Sequence, residues 1–416
     1  MSRRQLLKAA GAGVAAAGIG LAAPAVHSAK EKIIRYLGTA TTMADDIRRK
    51  LLEDTGIRIE YLPLTTDEVT LRILTRPGTF DIVDTEYASL PRFVLTGKIL
   101  GMDSKRIKEF DNISTIHTLG KIGDKIIGDQ GTAPKKVFYL NHDHSREFSP
   151  EPTRWTTLVP TVFNADTLGI RPDLINRPID SWAELLNPEF RGKASIQNIP
   201  SIGIIDAAMV VEAIGEYVYP DKGNMTKTEI DLTIDIFREA KMAGQFRTFW
   251  KDFNESVDLM ASGEVVIQSM WSPAVTAVRT QGIPCTYQPL KEGYRGWGSG
   301  FALSAAITEY QVDLCYEFIN WYLSGFAGGY LNRQGFYSAV PSTAKQYMED
   351  YEWDYWMLGK PATQDIKAPD GQKLASVGEV RDGGSFEERM GAVACWNSTM
   401  DERRHLADRW NNFVAA

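Results

Sequence analysis

From Lys32 onward the chain alternates short apolar runs with amphipathic stretches. The run IIRYLG, residues 33–38, reads as a strand, and the next segment, from Met43 to about Asp54, sets Ile47, Leu51 and Leu52 on one helical face with Gly56 closing it. A second strand, IRIEYLPL, leads to a helix from about Asp67 through Leu71, Ile73 and Leu74 to the Pro77-Gly78 break. FDIVDTEY is the third strand, carrying Thr85, Glu86 and Tyr87 at its far end. Strands and helices alternating at this spacing predict an α/β fold, a parallel sheet with helices on both faces, whose strand ends open onto one crevice.

The middle of the chain repeats the pattern. TTLVPTVFNADTLG is extended, as a strand crossing between two lobes would be. In IDSWAELLNPEFRGK, Ser181 stands three residues before Glu184, which predicts a capping box and a helix stopped by Asn187-Pro188. Helices follow over about 202–216, 226–243 and 255–261, then the strand EVVIQSMW ending in Trp271, the return PCTYQPL, and an amphipathic helix over about 312–322. Beyond Pro341 come the aromatic, acidic stretch YMEDYEWDYW, a Pro/Gly/Asp-rich loop from Pro361 to Gly384, and a final helix in MDERRHLADRWNNFV.

The first thirty residues differ. A basic head with Arg3, Arg4 and Lys8, a short apolar middle and small residues around Ala23-Pro24-Ala25 and Ser28-Ala29 make an export signal over residues 1–29. The adjacent arginines and the Ala/Gly-rich middle are of the twin-arginine type, with a general secretory signal as the alternative. The glycines of GAGVAAAGIG lack a preceding strand, so they are no dinucleotide site. Removing residues 1–29 takes away three of the 46 basic residues and none of the 53 acidic ones, a balance that disfavours a nucleic-acid partner. No later apolar run is long enough to cross a bilayer, so a soluble mature protein is expected.

The 416 residues suit two domains, and ten Trp and sixteen Tyr are a surplus that suggests binding as well as core filling. In KEGYRGWGSGFALSAA, Trp297 stands between Gly296 and Gly298, with Gly300 beyond. Three cysteines, Cys285, Cys315 and Cys395, leave at least one thiol unpaired, and a Cys315–Cys395 bridge is conceivable.

The pieces FDIVDTEY, VPTVFNADTLG, SWAELLNPEFRGKASI, MASGEVVIQSMWSPAVTAV, PLKEGYRGWGSGFALSA and DLCYEFINWYLS occur in an order and spacing that resembles the bacterial extracellular solute-binding proteins of ATP-driven importers. Within these, the chain is similar to the spermidine/putrescine-binding branch, over about residues 31–345. The resemblance implies an α/β, two-lobed periplasmic-binding-protein fold, each lobe a mainly parallel sheet flanked by helices and joined by a hinge. Lobe 1 would hold residues 31–158 plus 299–345, and lobe 2 residues 159–298 plus 346–416. It also implies a periplasmic monomer without cofactor or catalytic role, which traps a small-molecule ligand between the lobes and hands it to an ABC permease.

By residue-by-residue matching, Trp297 and Trp271 would be aromatic walls, and Thr85, Glu86 and Tyr87 the contacting loop of lobe 1. Thr39, in the loop Gly38 to Thr42, would offer a third contact. Two ring faces and one carboxylate suit a cation. Trp297 plugging a hinge is the alternative. The resemblance departs where polyamine binders keep carboxylates: the position beyond Trp297 is Ser299, and a helix start reads Pro200-Ser201-Ile202-Gly203. Few buried negative charges cannot offset a di- or triamine, so a monoamine or zwitterion is expected, its anionic end at the helix start by Ser201. Ser201 as a plain helix cap is the other reading.

The rival function is an exported metal-dependent enzyme using His142 and His144, with Asp143 or Glu147 in support. No nucleophile elbow, zinc-protease helix motif or phosphate-binding loop is present, so ATP would be hydrolysed by another chain. The segment after residue 345 would either cover the cleft or contact a permease.

Overall fold

The computed structural model describes residues 31–39 and 41–416, so the export signal expected over residues 1–29 lies outside the described residues. Residues 32–416 form one compact unit.

Its spine is one continuous sheet in the order Phe246–Trp250, Ala194–Gln197, Ile267–Met270, Val159–Ile170, Tyr294–Ser304, Ile82–Glu86, Ile33–Gly38, Arg58–Pro63. Three strands at each end are mutually parallel, as alternation with helices requires. The two long strands in the middle, Val159–Ile170 and Tyr294–Ser304, run antiparallel to each other and to their outer neighbours, because they carry the chain from one half to the other and back. Every residue of Val159–Ile170 is buried. Asn164 faces Trp297 and Asp166 faces Arg295 across this central pair.

Most predicted helices form where periodicity places them. Asp45–Thr55 ends at Gly56, whose φ of 71° is open to glycine without strain. Thr66–Thr75 and Lys227–Met242 start from full capping boxes at Thr65/Glu68 and Thr226/Glu229. The helix expected after Ser181 is instead a 3-10 turn, Trp182–Leu186. Glu184 does not reach back to cap; its carboxylate takes two hydrogen bonds from the Arg177 guanidinium, at 2.6 and 2.9 Å. A charged fork outcompetes a neutral backbone amide, and five residues ahead of Pro188 are too few to nucleate an α-helix.

The segment past residue 345 is woven into the body. Tyr355, Trp356 and Met390 pack with Phe163, Ala165 and Tyr294 of the crossing strands. Val393–Trp396 then pairs in parallel with the start of Tyr294–Ser304 on one side and with Gln130–Gly131 on the other. The last helix, Arg403–Ala415, brings Leu406, Trp410 and Phe413 into the core around Ile204, Ile234 and Phe237. The conceivable Cys315–Cys395 bridge does not form: all three cysteines are free and buried, Cys315 and Cys395 in different hydrophobic cores.

Among the described residues no helix is long and apolar enough to cross a membrane.

Candidate functional site

The crossing strands make a floor, and strand parity decides what stands on it. Directly opposed residues of antiparallel strands project to the same face. The registers Asp166↔Arg295, Asn164↔Trp297, Ser299↔Glu86 and Phe301↔Asp84 therefore set Asp166, Arg295, Trp297, Ser299, Glu86 and Asp84 on one side. Thr85 and Tyr87 fall on the other.

Trp297 is half-buried, its ring edge-on to Phe336 at 5.9 Å between centroids. On the opposite face Gly298 leaves room for Tyr87, since a Cβ there would lie 3.1 Å from the Tyr87 ring. Two residues back, Arg295 is buried in a cage of acceptors. Its Nε donates to Asp206 Oδ1 at 2.7 Å, one terminal nitrogen to Asp166 Oδ2 at 3.2 Å, and the other to Asn397 Oδ1 at 2.7 Å. The remaining carboxylate oxygens take the Tyr287 hydroxyl at 2.7 Å and the Gln197 amide. Two buried carboxylates on one guanidinium are tolerable only because each oxygen is so occupied. The carboxylates hold Arg295 above its usual range against the pull of burial, while burial raises Asp166 despite Arg295.

Asp84 is the outlier. It is 3% exposed, Oδ2 accepts from Thr42 at 2.7 Å, and Oδ1 has no hydrogen-bond partner. Burial pushes its carboxyl up to about 6, opposed by Thr42 and the nearby Ser299 hydroxyl and reinforced by the charge of Glu86. Glu86, at the strand's end, accepts from Asn397 Nδ2 at 3.0 Å.

Of the residues singled out in the sequence, Trp297, Ser299 and Glu86 are brought together. Tyr87 is 2% exposed and turned inward, its hydroxyl 2.9 Å from His117 Nδ1 and its ring stacked on the imidazole. His117 is fully buried and burial lowers it to about 3, so it is neutral at ordinary pH. Thr85 is buried opposite Gly300. Thr39 is partly exposed just after the first strand, its carbonyl accepting from Tyr61 at 2.7 Å.

Two further candidates follow strand ends of the other half. Trp271 is partly exposed beyond Ile267–Met270 and stands edge-on to buried Trp250, centroids 4.9 Å apart. Ser201 is partly exposed as the second residue of the helix Pro200–Ala213; the capping position is Ile199, and no side chain caps this helix, so the reading of Ser201 as a cap does not hold. Trp410 fixes this helix start: its indole N–H donates to Asn198 at 3.0 Å, and a Cβ on Gly203 would meet the ring at 2.5 Å.

His142 and His144, the rival site, are exposed and lie 3.9 Å from Asp143. Among the described residues no group of three potential ligands could hold a metal. The sequence reading missed Arg295, Asp166, Asp206, Asn397 and Asp84; only Asp84 had a signal, since period-two alternation in FDIVDTEY pairs it with Glu86.

Residues 46–344 match the model of the bacterial extracellular solute-binding protein family. The chain belongs to this family. No curated protein matches the sequence. Solved structures share the two-lobed fold of solute-binding proteins at low identity. The spermidine/putrescine ABC transporter substrate-binding protein of Streptococcus pneumoniae superposes with a TM-score of 0.62 at 12% identity, covering 92% of this chain and 99% of its own. An ABC transporter substrate-binding protein of Bradyrhizobium japonicum gives 0.60 at 14%, covering 92% and 99%. A GABA receptor gives 0.56 at 16%, covering 92% and 97%. In this solute-binding protein Asn397 and Trp410, which hold Glu86 and the helix start by Ser201, lie beyond the matched residues.

Proposed function

We propose that this solute-binding protein serves an ABC importer, trapping a small amine-containing or zwitterionic ligand between two hinged lobes and releasing it unchanged to a membrane permease. The lobes are residues 31–158 plus 299–345 and residues 159–298 plus 346–416, and the crossing strands are the hinge. The protein works as an exported monomer in the periplasm, sent there by the twin-arginine route.

The observation that carries this reading is the grouping of Trp297, Ser299 and Glu86 on one face of the central strands. A ring face and a carboxylate on a shared floor attract an ammonium, the indole adding roughly 0.5–2 kcal/mol. Trp271 and the helix start at Ser201 follow strand ends of the other lobe, where ligands of open α/β sheets bind. The positive end of that helix suits a carboxylate on a zwitterion. The names of the similar structures, a spermidine/putrescine binder and a GABA receptor, fall in the same range of amines.

A thermal-shift screen of the mature protein over diamines, ω-amino acids, betaines and small sulfonates tests it. An amine or zwitterion should raise the melting point by mass action and change Trp fluorescence, without being consumed. Turnover of a substrate, or indifference to the whole panel, overturns the reading.

A further inference from the structure

We propose that Asp84 selects the ligand's cationic nitrogen, which sits between the Asp84 and Glu86 carboxylates beside Trp297. This deepens the ligand-capture reading and rests on it.

Buried aspartates in this protein come with arginines. Asp81 has Arg35, Asp103 has Arg154, and Asp166 and Asp206 share Arg295. Asp84 is as deeply buried and has no basic partner among the described residues, and its Oδ1 is unpartnered. The elements packed around it supply only neutral or acidic groups. Tyr36 comes from the first strand, Tyr61 from the second, Tyr322 from the helix Glu309–Tyr322, and Glu86 from its own strand. Arg48 of the first helix is engaged elsewhere, lying over the Tyr61 ring and pairing with Asp45. Tyr36 is committed to Thr42 at 2.7 Å, and Thr42 to Asp84 at 2.7 Å, so the local hydroxyls satisfy one carboxylate oxygen and leave the other.

An anion buried without a counter-charge is retained at a cost in stability. Strand parity puts that oxygen's carboxylate on the same face as Glu86, Ser299 and Trp297, the face on which the ligand is read to bind. An ammonium there supplies the missing positive charge and donates to the free lone pairs. The Ser299 hydroxyl on the neighbouring strand of the floor favours the charged form of Asp84. Because burial already lifts the Asp84 carboxyl to about 6, amine binding draws a proton off it at mildly acid pH.

Calorimetric titration of the mature protein with putrescine and with 4-aminobutanoate tests this. Wild-type protein should bind at least one probe, with affinity falling about tenfold per pH unit below about 6. Asp84→Asn should weaken that probe by roughly thirtyfold or more at pH 7.5 and show no such pH dependence. Where the variant fails to fold, the wild-type pH profile decides. Equal affinity in variant and wild type, or a flat wild-type profile from pH 5 to 7, overturns the role of Asp84 while leaving ligand capture intact. Binding of neither probe by wild type overturns this assignment, and indifference to the whole panel overturns ligand capture as well.

Discussion

Asn397 donates from Nδ2 to the Glu86 carboxylate at 3.0 Å, joining residues 311 positions apart. Through its carbonyl the same side chain accepts from Arg295. Asn397→Ala removes both and leaves a buried guanidinium N–H unpaired, a cost of about 1–3 kcal/mol. Urea denaturation should show that loss as a lower midpoint with unchanged slope.

Arg295→Met strips the shared cation from two buried carboxylates. The expected loss is roughly 3–5 kcal/mol at neutral pH, since an uncompensated buried charge costs more than the ion pair contributes. Burial already raises the Asp166 carboxyl, and its protonation relieves the deficit, so the loss against wild type should shrink between pH 7 and pH 5. Denaturation at both values checks this.

Trp297 and Trp410 separate function from packing. Trp297 is half-buried on the ligand face, so Trp297→Ala should weaken an amine ligand by roughly 2- to 30-fold with a small change in melting point. Trp410 is 0% exposed, and Trp410→Ala should cost about 3–5 kcal/mol of stability. Titrations and melting curves on the two variants should give opposite rankings.

Asp84 and His117 pull the pH profile of the ligand-free protein in opposite directions. The folded Asp84 carboxyl titrates at about 6, above its unfolded value, so the native state holds that proton more tightly and this group's contribution falls as pH rises through about 4 to 6. Full burial makes that change roughly 3 kcal/mol. His117 is lowered to about 3, so its contribution is complete above its unfolded value and is lost as pH falls below about 6.5. Subtracting the melting profile of Asp84→Asn from that of wild type isolates the first effect: the difference should widen from pH 4 to 6 and then level off.

All three cysteines are buried as free thiols, and burial raises each, Cys285 to about 12. A thiol reagent such as dithionitrobenzoate at pH 8 should find none in the native protein and three per chain in guanidinium.

Local periodicity made most of the architecture legible. The capping boxes at Thr65 and Thr226, the αL stop at Gly56 and the long apolar run from Val159 are decided within a turn or two of chain. The Ser181 box failed because its rival, Arg177, acts through a charge whose pairing needs folded geometry. The same limit hid most of the floor. Arg295, Asp206 and Asn397 meet from three separate segments, and no spacing rule links positions 89 and 102 residues apart. Glu86 and Trp297 were visible as residue types, but the inward turn of Tyr87 depends on His117, thirty positions away.

The strand Val393–Trp396 and the helix after it place late-made residues at the centre of the molecule. Arg295 and the helix start by Ser201 cannot reach all their final partners until Asn397 and Trp410 have emerged from the ribosome. Synthesis therefore runs ahead of maturation: the nascent molecule acquires its outer strands early and its binding floor only when translation is nearly over.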